Sequence, residues 1–162
     1  MKEQMDQNLG IKKGSILMAN RWMIKPLRAI CDQRGRLMEL RRTDWEDFEY
    51  PAKQVYMTTA YPGVTKAWHL HRKQTDFMVI VSGMMMVGLY DEEADVSEVV
   101  YAGEHNPVLI KILPEVWHGF KNIGTSEAIV INSPDQLYDY ENPDEFRKPW
   151  NFIPGFWETK NG

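Results

Sequence analysis

The feature that most limits the fold is a succession of short β-forming runs, each closed by a turn signal, with little of helical period between them. Residues 53–60, 66–71, 76–81, 84–91, 96–102, 108–113, 117–122 and 128–132 carry these runs. Turn formers separate them: Tyr61-Pro62-Gly63, Ser82-Gly83, the loop Gly103-Glu104-His105-Asn106-Pro107, then Pro114 and Gly124. Ser82-Gly83 reads as a tight hairpin between 76–81 and 84–91. Residues 23–31 are mixed apolar and polar and stop at Asp32-Gln33-Arg34-Gly35. Regular strands of this kind predict an all-β chain folded as a closed or two-sheet antiparallel barrel, which also removes exposed edges. Only residues 43–49 and 143–146 suit helices, and both are short.

A chain of 162 residues is long enough for one full core, so the expectation is a single domain over residues 1–162. Within it, 1–22 form an N-terminal arm, 23–132 the barrel and 133–162 a C-terminal segment, whose aromatic stretch 150–157 reads as a docked arm. A net charge of -4 gives no electrostatic reason to expect nucleic acid or an anionic membrane as partner. No apolar run approaches a membrane span, and residues 1–13 are too polar for a secretory signal. The single cysteine, Cys31, excludes an internal disulfide and fits a cytoplasmic location; it reads as a buried thiol. Met84-Met85-Met86 reads as core filling, while Arg41-Arg42 and Arg72-Lys73 read as solvated faces.

The chemistry concentrates between Gly63 and Gly83. His69 and His71 lie two residues apart on a strand-like run, so their side chains share a face. Asp76 follows five residues later. Two imidazoles side by side, with a carboxylate near them, suit either proton transfer or metal binding. His105, beside Asn106-Pro107, reads as a surface loop residue.

Gly63, His69, His71, Asp76 and Gly83 match in register the first cupin motif, G-x5-H-x-H-x3,4-E-x6-G, with Asp in place of Glu. Pro114, His118 and Asn122 match the core of the second, with Glu115 at its usual Gly. Within the RmlC-like cupin superfamily, nearly the whole chain resembles the dTDP-4-keto-6-deoxyglucose 3,5-epimerase family (dTDP-4-dehydrorhamnose 3,5-epimerase). Asp32 to Glu39 resembles D-x-R-G-x-x-x-E, and Gly63 to His69 resembles G-V-x-R-G-x-H with Lys66 and Ala67 at the Arg and second Gly. Pro114 to Phe120 resembles P-x-x-x-H-G-F. Tyr138 to Trp150, with Asn142-Pro143-Asp144-Glu145, resembles the Y-x-P-E…W closing segment.

The resemblance implies a cupin jelly-roll barrel with short flanking helices, a homodimer, and a nucleoside-diphosphate sugar lying in the barrel mouth. It implies His69 as the base beside the ketone, His71 as its orienting partner or second base, and Tyr138 or Tyr140 as acid or base-stacking residue. Arg34, Glu39, Lys66, Gln74, His118 and Asn132 would contact substrate, Arg34 and Glu39 in the family often from the partner subunit. No cofactor is implied. Three departures stand out: Asp76 matches the family Lys, Asn132 matches its acid Tyr, and its C-terminal Asp has no counterpart, Glu158 being a weak substitute. Three other readings stay open. His69-Leu70-His71-Arg72 resembles the H-x-H-K motif of sugar-nucleotide 3,4-ketoisomerases. His69, His71, Asp76 and His118 form a donor set for a divalent transition metal. A barrel that binds sugar nucleotide without catalysis is the third.

Overall fold

The computed structural model describes residues 21–159. Twelve strands follow in chain order: β1 Trp22–Pro26, β2 Ala29–Asp32, β3 Gly35–Met38, β4 Tyr56–Ala60, β5 Thr65–Leu70, β6 Asp76–Ser82, β7 Met84–Asp91, β8 Val96–Gly103, β9 Val108–Ile112, β10 Trp117–Asn122, β11 Ala128–Asn132 and β12 Phe146–Arg147. Two five-stranded antiparallel sheets face one another, in the orders β1-β9-β6-β11-β4 and β12-β5-β10-β7-β8. β2 and β3 form a separate ribbon. This is the two-sheet form of the expected architecture, an all-β jelly roll of the cupin type.

Strand alternation builds three apolar layers. Met78 and Ile80 of β6, Met85, Val87 and Leu89 of β7, and Val108, Ile110 and Ile112 of β9 meet between the sheets. The opposite face of the first sheet, with Phe77, Val79 and Leu109, is covered by Phe48, Leu40 and Trp45 from the 40–50 segment. The opposite face of the second, with Trp68, Leu70, Met86 and Trp117, is covered by Phe152, Ile153, Phe156 and Trp157. The 150–157 stretch is therefore a docked arm. Burial on both faces explains why 76–81 and 108–112 read as continuous apolar runs rather than alternating ones.

Four expectations are corrected. Ser82-Gly83 is not a hairpin: β6 and β7 lie in different sheets, and Gly83 carries the chain across with φ of 75°. A side chain there would sit 2.8 Å from the Ala128 Cβ, so the crossing needs glycine on two counts. Among the described residues there is no helix, so the short flanking helices are absent. Residues 43–49 make turns, with Asp47 left-handed and Phe48 N–H bonded to the Trp45 carbonyl, because Phe48 is drawn onto the first sheet. Residues 143–145 are irregular and lead into β12, whose backbone pairs with β5 instead of with itself. Cys31 is exposed on the ribbon rather than buried. Of the expected N-terminal arm, residues 1–20 lie outside the described residues, and Trp22 belongs to the core of β1.

The Trp157 side chain is buried at the centre of the outer cluster, and its indole nitrogen has no partner. Trp157→Ala should therefore cost about 3–5 kcal/mol in urea unfolding. Trp157→Phe should cost far less, because it removes an unsatisfied donor along with part of the ring. Equal losses in the two variants would mean that the indole N–H contributes to stability.

Candidate functional site

β5 and β10 pair with His118 opposite His69 and Phe120 opposite Lys66. One residue of β10, Gly119, thus lies opposite two of β5, Ala67 and Trp68, which is a bulge. It turns Ala67 and Trp68 toward the outer layer and leaves both Lys66 and His69 facing inward. Gly119 makes room for it: a side chain there would lie 2.3 Å from the Ala67 Cβ and 2.8 Å from the Lys66 carbonyl oxygen. Inside this wall, at one end of the sandwich, opens a cavity of about 430 Å³. The first sheet supplies its other wall, with Tyr56 and Thr58 of β4, Asp76 and Met78 of β6, and Asn132 of β11.

His69, His71 and His118 gather on this cavity, with ring centroids of His118 at 6.4 Å from His69 and 5.5 Å from His71. Each Nδ1 is held. His69 Nδ1 donates to Glu145 Oε1 at 2.8 Å, His118 Nδ1 to the Val116 carbonyl at 3.0 Å, and His71 Nδ1 to the Asp144 carbonyl. At the floor, Asp76 Oδ1 accepts from the Gln74 amide at 2.8 Å and from Asn132 Nδ2 at 2.7 Å. Its Oδ2 faces His118 Nε2 at 3.3 Å and His71 Nε2 at 3.5 Å. Asn132 Nδ2 also donates to the Tyr56 hydroxyl at 2.8 Å, so the proton of that hydroxyl is free for another acceptor.

The other residues singled out in the sequence divide into two groups. Lys66, Gln74, His118 and Asn132 line the cavity, and Tyr138 and Tyr140 stand at it as an edge-to-face pair with centroids 5.0 Å apart. Arg34 and Glu39 do not reach it in this chain: Arg34 pairs with Asp32 across the ribbon turn, and Glu39 with Arg42 at 2.7 Å. Glu158 lies in a separate cleft with Lys121 and Trp150, so it is not the carboxylate beside His69. Glu145 is. It sits inside the closing segment Asn142-Pro143-Asp144-Glu145, whose pattern was visible but whose fold against β5 was not. Tyr56 was also missed, although period-two alternation along β4 puts it on one face with Thr58.

A family described as the polysaccharide biosynthesis C-terminal domain matches residues 30–146. The chain belongs to this family. Among its relatives is a probable low-salt glycan biosynthesis epimerase, Agl13, of Haloferax volcanii, 41% identical over 134 residues, covering 79% of this chain and 86% of that protein. The spore coat polysaccharide biosynthesis protein SpsL of Bacillus subtilis is 36% identical over 133 residues, covering 79% and 87%. A dTDP sugar isomerase from Desulfovibrio desulfuricans G20 superposes with a TM-score of 0.78 at 27% identity, covering 88% of this chain and 94% of that one.

In this member of the family the charges of the site are set by burial and by close partners. Burial pushes the His69 imidazole below its ordinary value, against the opposing pull of Glu145, so the ring is neutral near pH 7. Burial alone would raise the Asp76 carboxyl, but the hydrogen bond and charge of His118, the charge of His71 and the Asn132 amide together hold it below the usual carboxylate range. His118 is raised in turn: burial disfavours its cation, and Asp76 more than compensates. Burial and the Asp76 charge push the Tyr56 phenol up to about 12. Burial raises Glu145 as well, but the hydrogen bonds from His69 and Arg147 leave it low overall.

One ligand atom each from His71, Asp76 and His118 lies within 4.8 Å of the others. With both Nδ1 atoms tied to backbone carbonyls, the two Nε2 atoms and a carboxylate oxygen converge, a donor set that fits a divalent transition metal. His69 stands outside that cluster, held by Glu145.

Gly119→Ala should displace the bulge, because backbone as well as side chain stands in the way. The expected result is a stability loss of about 1–3 kcal/mol in chemical denaturation, with a crystal structure showing His69 and Lys66 moved relative to His118. An unperturbed bulge would remove glycine as its requirement.

Proposed function

We propose that the cavity binds a nucleoside-diphosphate 4-keto-6-deoxysugar and epimerises carbon beside the ketone through an enolate. The observation that carries this reading is His69, a neutral imidazole whose Nδ1–H is fixed on a carboxylate and whose Nε2 has no partner among the described residues. Such a nitrogen can take a proton from carbon, and Glu145 stabilises the imidazolium that forms, as the carboxylate of a catalytic triad does. The C–H bonding pair becomes the enolate double bond, and the ketone oxygen takes the charge. Tyr56, on the facing sheet, keeps its proton below a pKa of about 12 and can donate it toward that oxygen or to the opposite face of the carbon. Inversion requires base and acid on opposite faces of the sugar, and two facing sheets meet that requirement. Tyr138 and Tyr140 at the cavity edge suit stacking on a nucleobase, and Lys66 suits the diphosphate.

His71 directs its Nε2 at Asp76, so only one motif histidine offers an unengaged basic nitrogen. That favours epimerisation over a ketoisomerase that shuttles protons between two histidines. His71, Asp76 and His118 would hold a divalent metal, which when bound supplies a Lewis acid for a ketone oxygen. The names of the relatives, a glycan biosynthesis epimerase and a dTDP sugar isomerase, agree with the substrate class.

Incubation with dTDP-4-keto-6-deoxyglucose in deuterated water should give enzyme-dependent deuterium beside the ketone. His69→Asn should lower the rate by roughly 10²-fold or more, and Glu145→Gln should lower it by at least about tenfold. Undiminished exchange in His69→Asn would remove His69 as the base. The same assay after chelation, with metal content measured, tests the metal: full exchange by metal-free protein would exclude a required ion.

We also propose a homodimer formed through the ribbon, where Ile30 and Leu37 lie opposite one another and are 63% and 62% exposed. Pairing there would carry Arg34 and Glu39 toward a second subunit. Sedimentation should show a dimer that Ile30→Asp with Leu37→Asp dissociates; a monomeric parent protein would rule it out.

A further inference from the structure

β12 and the residue before it read Glu145-Phe146-Arg147, and alternation sends the first and third side chains to one face. Phe146, between them, lies under the Arg72 guanidinium, whose carbon is 4.3 Å from the ring centroid. The register puts Arg147, not Glu145, directly opposite His69 on β5. Glu145 comes two residues earlier, so its carboxylate must lean along the strand to reach the ring. There Oε1 accepts from His69 Nδ1 at 2.8 Å, and from Arg147 Nε at 3.0 Å and Nη2 at 2.8 Å. All three donors share one oxygen, and Oε2 has no partner among the described residues.

A glutamate side chain is long and rotamer-rich, and a single hydrogen bond to a ring leaves much of that freedom in place. Two N–H groups of a planar guanidinium closing on the same oxygen remove it. The Arg147 side chain is 70% exposed, so its ion pair with Glu145 is screened by water and adds little to folding stability. What the pair supplies is geometry. We propose that Arg147 is a positioning residue for Glu145, whose Oε1 its guanidinium fork holds on the Nδ1 side of His69. Arg147 does not line the cavity, and it acts on the site only through that carboxylate. In the proposed reaction His69 becomes an imidazolium as Nε2 takes the carbon proton, and a carboxylate already in place stabilises it without rearranging. The effect on rate rests on that reaction; the placement of the carboxylate does not.

The test compares the parent protein with Arg147→Ala, Arg147→Lys, Glu145→Gln and the double variant Glu145→Gln with Arg147→Ala in the deuterium-exchange assay. Arg147→Ala should lower kcat roughly tenfold and change KM by less than about threefold. Arg147→Lys keeps the charge without the fork and should recover only part of that loss. In the Glu145→Gln background, removing Arg147 should change kcat by less than about twofold, because the carboxylate it acts through is already gone. A merely structural loss would instead add to that of Glu145→Gln. Crystal structures give a readout independent of turnover: Glu145 Oε1 should lie on His69 Nδ1 in the parent and out of hydrogen-bond reach in Arg147→Ala. An unmoved carboxylate in Arg147→Ala, additive losses in the double variant, or full kcat in Arg147→Lys overturns the proposal. So does a loss confined to KM, which would make Arg147 a charge that attracts the diphosphate. Absence of exchange in the parent overturns the proposed reaction instead, and the crystal structures then decide the positioning by themselves.

Discussion

A carboxylate buried where two sheets meet organises everything around it. Asp76 begins β6 in the first sheet, and its oxygens are met by Asn132 from β11, by Gln74 from the preceding connection, and by His118 from β10 in the second sheet. An isolated carboxylate at 2% exposure would be strongly disfavoured. Two amide donors and two imidazole nitrogens offset that cost, and each of them must hold its place for the offset to persist. His118 is fixed by Val116, His71 by Asp144, and Asn132 by the Phe77 N–H on its carbonyl oxygen at 3.0 Å. The polar floor of the cavity is thus a closed network tied to strand backbones on both sides. Its rigidity fits chemistry in which a small displacement of a proton donor or acceptor changes the rate steeply.

Most of the strands were legible because their causes are local. The bounds of β7, β10 and β11 coincide with 84–91, 117–122 and 128–132, where turn formers flank runs of β-branched and aromatic residues. What local pattern cannot carry is partnership. Ser82-Gly83 has the composition of a hairpin turn, yet β6 pairs with β9 and β11 while β7 pairs with β8 and β10. The choice is made by core residues far apart in sequence, such as Ile80 and Ile110. The short helical stretch at 43–49 failed for a related reason: seven residues hold too little intrinsic helix to resist packing of Phe48 on the first sheet.

The site divides along the same line. His69, His71 and Asp76 are close in sequence, and the chain carries them directly to one wall and the floor of the cavity. Glu145 and Tyr56 were not legible as site residues, because one arrives through β12 on the edge of β5 and the other through β4 on the facing sheet. The bulge on β5 was hidden as well. A regular strand would have sent Lys66 and His69 to opposite faces, and only the space left by Gly119 lets both face inward. Arg34 and Glu39 show the converse limit. Their pattern was clear by resemblance, but the ribbon that bears them stands outside both sheets and engages them in local ion pairs.

The dependence of His69 and His71 on Asp144 and Glu145 has a consequence for the order of events during folding. The nine strands of the two sheets other than β12, together with the ribbon, all lie within residues 22–132. Pairing within that span already brings β5 beside β10, and so places His69 opposite His118, without the later residues that orient its ring. Shape would then precede reactivity. The protein would become chemically competent only when Asp144 and Glu145 have docked against β5 and its following connection.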